Sequence, residues 1–141
     1  MSEQANARQL VIFTLGTEEY ALPIKTVQEI IRYTEPRSVA SNDSSVRGVI
    51  SLRGKIVPVY DLAGRLGVHS VVSEESKIVI VETAEQVVGI VVDGVEEVMT
   101  VEDDQLDHVP VADATLMDSI AKLGEQLVVL LNPDTIFTTA A

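Results

Sequence analysis

The chain has 141 residues, 46% of them apolar and only 4% aromatic, with no cysteine and a formal net charge of −12. That is one domain's worth of chain with enough apolar material for a core, and the absence of cysteine excludes disulfides, thiolate metal sites and a thiol nucleophile. The acidity sets it against nucleic acid and anionic membranes, where the phosphate term is repulsive.

Residues 1–9 are polar and lack the apolar centre of a signal peptide. No apolar run approaches the roughly 20 residues that span a bilayer, so a cytoplasmic protein is expected. Valine and isoleucine dominate the apolar residues, a bias that favours strands. The first alternating run begins at Leu10-Val11-Ile12-Phe13, and Leu15-Gly16-Thr17-Glu18-Glu19-Tyr20 reads as a hairpin turn into a second. Pro23 ends that strand. Residues 24–33 then place Val27, Ile30 and Ile31 at helical spacing, which predicts a short helical segment.

Two apolar strands next flank the turn Arg53-Gly54-Lys55. Val49, Ile50 and Leu52 lead in, and Ile56, Val57, Val59 and Tyr60 lead out. Gly54 supplies the left-handed angle that a tight hairpin needs. Pro58 lacks a ladder donor, which predicts an edge strand or a bulge there. Asp61 is a helix N-cap candidate for a brief helix ending near Gly67. Residues 70–76 are polar and read as the link between two halves, and residues 102–108 as an exposed acidic loop. Asn132 is a second N-cap candidate, with Pro133 at the favoured first helical position.

The halves repeat. At an offset of 68, Leu10-Val11-Ile12-Phe13 falls on Ile78-Val79-Ile80-Val81, Tyr20, Leu22 and Ile24 on Val88, Ile90 and Val92, and Val27, Glu29 and Ile30 on Val95, Glu97 and Val98. At an offset of 71, Ile56-Val57 falls on Leu127-Val128, Val59-Tyr60 on Leu130-Leu131, Asp61 on Asn132 and Leu66 on Phe137. The ordered recurrence of strand, polar turn, strand and short apolar segment reads as a duplication. It puts one apolar ridge on each half, and two facing ridges would line a groove suited to an amphipathic helix.

Catalytic readings fail on chemistry. Between Gly48 and Gly54-Lys55 lie five residues where a phosphate-binding loop has four, and Ile56 stands where a hydroxyl would hold Mg²⁺. His69 and His108 sit apart in polar surroundings, without ligand spacing. Asp103, Asp104 and Asp107 lack the pattern of a calcium loop and read as a solvated acidic stretch. No serine has a placed base. The expectation is a protein without enzymatic activity, cofactor or metal.

The seventeen positions from Val46 to Leu62, read with Phe13-Thr14-Leu15-Gly16-Thr17-Glu18-Glu19-Tyr20, Val27-Gln28-Glu29-Ile30 and Val88-Gly89-Ile90-Val91-Val92-Asp93-Gly94-Val95, resemble the CheW family. These are coupling proteins that join chemoreceptors to the kinase CheA in bacterial chemotaxis. The resemblance runs from Gln9 to about Phe137. Ser51 stands where the family often has asparagine, and Ala63-Gly64-Arg65 replaces a more basic run.

The resemblance implies a mainly β fold: two SH3-like five-stranded β-barrel subdomains side by side, with short helices and a hydrophobic groove between them. Residues 1–141 would form one such domain, with about 10–68 as the first half, 77–137 as the second, and the first strand free to pair across. It implies an adaptor that binds both partners non-covalently, with no nucleic acid and no direct membrane insertion. By matching positions, Val27, Glu29, Arg53 and Val98 would face the helical-hairpin tip of a chemoreceptor's cytoplasmic part, with Gly48 setting the nearby backbone. Arg32 and Tyr33 would meet the regulatory domain of CheA on another face of the first barrel. The alternatives are a CheW-like adaptor of another motility or developmental pathway, or a small-barrel sensor with a metabolite in the groove. Few convergent polar groups are present for the latter.

Overall fold

In the computed structural model, which describes residues 7–41, 45–107 and 117–136, the first alternating run is a hairpin of β1 (Ala7–Leu15) and β2 (Glu18–Pro23). A 3-10 turn, Ile24–Thr26, leads to β3 (Val27–Arg32), and the hairpin β4 (Val46–Leu52) and β5 (Lys55–Tyr60) follows. Then come α1 (Leu62–Leu66), β6 (Lys77–Glu82), β7 (Val87–Val92) and the long β8 (Gly94–Glu102). The short β9 (Leu106–Asp107), β10 (Met117–Leu123), β11 (Gln126–Leu131) and α2 (Pro133–Ile136) complete the order.

These strands make two mainly antiparallel sheets, one of six in the order β8–β1–β2–β11–β10–β9 and one of five in the order β3–β6–β7–β5–β4. The hairpins are exchanged. β1 and β2 from the start of the chain lie with β8 to β11, and β6 and β7 lie with β3 to β5. The boundaries 10–68 and 77–137 therefore do not divide the sheets, and the polar stretch 70–76 joins β5 and α1 to β6 within one sheet.

The duplication is exact in register. Ile12 opposes Ala21 as Ile80 opposes Gly89, and Val95 opposes Phe13 as Val27 opposes Val81. Val49 opposes Pro58 as Ile120 opposes Val129, and the parallel pair Val59 and Gly89 answers Leu130 and Ala21. The bulges repeat too: between Val27 and Glu29 and between Ile12 and Phe13's partners on β8, then between Val46 and Gly48 and between Met117 and Ser119. Phe137, one of the aligned positions, and His108 lie outside the described residues.

Among the described residues, three cores follow from the alternation. Leu10, Ile12, Ala21, Val101, Ala121, Val128 and Leu130 fill the six-stranded sheet, and Ile50, Val57, Val59, Ile78, Ile80 and Val91 fill the five-stranded one. The third cluster takes residues from both sheets, including Phe13, Leu22 and Leu131 from one and Tyr60, Val81 and Ile90 from the other. This shared core joins the sheets.

Two local expectations are corrected. Residues 24–33 are not helical: after the 3-10 turn they form β3, an edge strand. The spacing of Val27, Ile30 and Ile31 comes from the bulge, where Gln28 is the extra residue and shifts the strand's alternation. Pro58 lies on an inner strand with no bulge of its own, yet β5 pairs with β7 only at Val59 and Tyr60, just past it. Its missing donor thus falls where that ladder has not begun.

Both helix caps form as expected. The Asp61 carboxylate accepts the Gly64 N–H at 3.1 Å, and α1 ends on Gly67 at φ 75°. Asn132 accepts the Asp134 N–H at 3.1 Å at the start of α2.

Candidate interaction site

β3 and β8 are edge strands of different sheets, and each begins with the same bulge. The bulge sets which side chains point where. Val27 and Val95 turn inward and pack against the shared core. Ile30 and Val98, opposite Val79 and Val11, follow on the same faces but stand 41% and 51% exposed. The intervening Glu29 and Glu97 oppose Ile80 and Ile12, so they lie on the opposite face of their strands.

Glu29 meets Arg53 there. The Arg53 guanidinium donates to Glu29 Oε1 at 3.3 Å and forms a closer ion pair with Oε2. Such a forked pair gives direction as well as attraction. Arg53 is the one non-glycine at positive φ among the described residues, 51°, and Gly54 follows at 83°. Two positive φ values in a two-residue hairpin loop make the type I′ turn, which commonly carries Asn-Gly. Holding an arginine there costs about 1–2 kcal/mol. Its side chain remains 70% exposed against 26% for Glu29, so the pair adds little to stability and leaves the cation open to a partner.

Gly48 is not with them. It sits five residues back along β4, roughly 16 Å at strand rise. It is buried at φ 149°, and a Cβ there would stand 2.2 Å from the Arg37 carbonyl oxygen. That carbonyl accepts the Val49 N–H at 2.9 Å, and the Arg37 N–H donates to the Val49 carbonyl at 2.8 Å. Gly48 therefore lets the segment after β3 close onto β4.

Arg32 and Tyr33 lie at the far end of the same edge strand as Val27. Arg32 is exposed, and Tyr33 packs against the core of the five-stranded sheet while its N–H donates to the Ser76 carbonyl at 3.3 Å. With Val72, Ser73 and Glu74 they line a cleft of about 430 Å³.

The structure thus brings Glu29 and Arg53 into contact and gives Val27 and Val98 corresponding strands on the shared core. It sets Gly48 apart, and Arg32 and Tyr33 at the strand's other end. Ile30, outside the predicted site residues, is the true counterpart of Val98; the 68-residue offset was the signal that finds it. Chemically the site offers apolar contact on one face of β3 and a guanidinium held by a carboxylate on the other, which suits recognition of a helix bearing both apolar and polar groups.

Comparison with known proteins agrees with this fold. The CheW-like domain family matches residues 9–141. The chemotaxis protein CheW of Klebsiella aerogenes is 37% identical over 130 residues, covering 89% of this chain and 78% of that protein. A probable chemotaxis protein CheW of Rhizobium etli is 29% identical over 136 residues, covering 93% and 88%. The crystal structure of the scaffolding protein TtCheW from Thermoanaerobacter tengcongensis superposes with a TM-score of 0.87 at 30% identity, covering 94% of this chain and 88% of that one.

Proposed function

Because this chain belongs to the CheW-like domain family, we propose that it is a chemotaxis scaffold that couples a chemoreceptor to the histidine kinase CheA by binding both. The receptor's helical-hairpin tip lies along the seam between β3 and β8, against Val27 and Val98, with Ile30 joining them and Glu29 and Arg53 at the rim. The kinase's regulatory domain meets the five-stranded sheet near Arg32 and Tyr33. The observation that carries the reading is the repeated bulge, which puts one packed and one exposed apolar residue on the same face of each edge strand beside one shared core.

The scaffold acts in the cytoplasm, without catalysis, by holding two partners in a fixed relation. No helix among the described residues is long and apolar enough to cross a membrane. Contacts that assemble and exchange need only modest affinity, and dissociation constants of about 1–10 μM correspond to about −8 to −7 kcal/mol. Calorimetric titration of the chain with a receptor hairpin fragment and with the kinase regulatory domain tests the reading. Binding of both, together in one complex, is expected; binding of neither contradicts it.

A further inference from the structure

Within the described residues the chain passes between sheets twice. The first crossing is the 3-10 turn between β2 and β3, and the second is the single residue Asp93 between β7 and β8. Asp93 is tied to three other segments. Its N–H donates to the Thr14 carbonyl at the end of β1 at 2.9 Å. Its Oδ2 accepts the Gly16 N–H of the β1–β2 turn at 2.6 Å, and its Oδ1 accepts the Ser70 hydroxyl. Next door, Thr14 Oγ1 donates to the Gly94 carbonyl at 3.4 Å.

Ser70 belongs to the polar stretch after α1, and that stretch is pressed onto the same turn. A Cβ on Gly16 would stand 2.4 Å from the His69 carbonyl oxygen. One carboxylate therefore joins the crossover, the hairpin turn and the linker. In the other half the corresponding turn has its Ala84 N–H capped at 2.9 Å by Asp134, a carboxylate that comes from α2.

We infer that Asp93 is a positioning residue for the β8 edge. By holding Gly16 and Ser70 it fixes where the chain changes sheets, and so holds the bulge at Glu96 that puts Val95 and Val98 on one face of β8. The binding part of this inference rests on the receptor-binding reading; the structural part does not. Two donors converge on the carboxylate, so its role is hydrogen bonding more than charge. Asparagine can keep both contacts, with Oδ1 accepting from Gly16 and Nδ2 donating to the Ser70 oxygen. Alanine keeps neither.

Hydrogen exchange and titration on the full chain test this with Asp93→Ala, Asp93→Asn and Ser70→Ala. In folded Asp93→Ala, the amides of Gly16 and of residues 95–98 should exchange about tenfold or more faster. Affinity for the receptor hairpin fragment should fall about tenfold, while that for the kinase regulatory domain stays within about threefold. Asp93→Asn should track the parent in both assays. If Asp93→Ala does not fold, Ser70→Ala carries the test, with exchange at 68–71 and 95–98 rising about threefold or more. Parent-like exchange at 95–98 in the deciding variant overturns the inference, and so does an Asp93→Asn variant as impaired as the alanine. A parent protein that does not bind the receptor fragment defeats the receptor reading instead, and the exchange result still decides the role of Asp93.

Discussion

Arg53 is where backbone cost and side-chain reach meet. At φ 51° it occupies a position that glycine would hold without strain. Arg53→Ala keeps the unfavourable angle and loses the Glu29 pair, so it should lower stability by about 0.5–1 kcal/mol. Arg53→Gly relieves the angle and should fall within about 0.5 kcal/mol of the parent. Both should weaken receptor binding by about 1–2 kcal/mol, as interface arginines do. Urea midpoints and titration together separate the two effects; an Arg53→Ala variant that unfolds would make the residue structural. A second residue-scale test is Glu96. Its hydrogen bond with the Glu19 carboxyl raises its pKa first, with burial and the nearby Glu19 and Glu97 charges adding to the rise. The folded state then holds this proton more tightly than the unfolded chain, so stability is greater at low pH. It falls as pH climbs from the ordinary carboxylate value through the raised one. Thermal melts of Glu96→Gln should lose this part of the pH dependence, and an unchanged profile would count against it.

At the scale of elements, caps and bulges decide most of the local structure. Asp61 both caps α1 and lies 3.6 Å from the Arg47 guanidinium. Asp61→Ala should cost about 1–2 kcal/mol, while Asp61→Asn keeps the cap and should cost no more than about 0.5 kcal/mol. Equal losses in denaturant unfolding would show that the cap is not what Asp61 supplies. Caps were legible in the sequence because they depend on residues a few positions apart. The turn at Gly54 was legible for the same reason. β3 was not. Its bulge inserts Gln28 without marking the composition, and the resulting spacing imitates one turn of helix. Only the partner strand β6, far along the chain, shows which period applies.

For the whole molecule, the repeat was legible because each half keeps its apolar pattern, and the paired registers carry it through to the fold. Which hairpin enters which sheet was not. The two hairpins present equivalent registers, so either satisfies either sheet locally, and the exchange rests on long-range contacts that neither half displays alone. The same separation explains the site. Val27, Glu29, Arg53 and Val98 could be named by resemblance, but the contact between Glu29 and Arg53, the exposure of Ile30 and the structural duty of Gly48 depend on closure of the five-stranded sheet.

The central claim is that two edge strands from different sheets form one receptor seam apart from the kinase contact. Titration of Ile30→Glu and Val98→Glu with the receptor hairpin fragment and the kinase regulatory domain tests it most directly. Both side chains are substantially exposed, so the variants should fold, as circular dichroism can check. Each should lose receptor binding by about tenfold or more, because docking a helix would bury the new charge. Each should also keep kinase binding within about threefold. Parent-like receptor binding in either folded variant, or joint loss of both partners, would contradict the account.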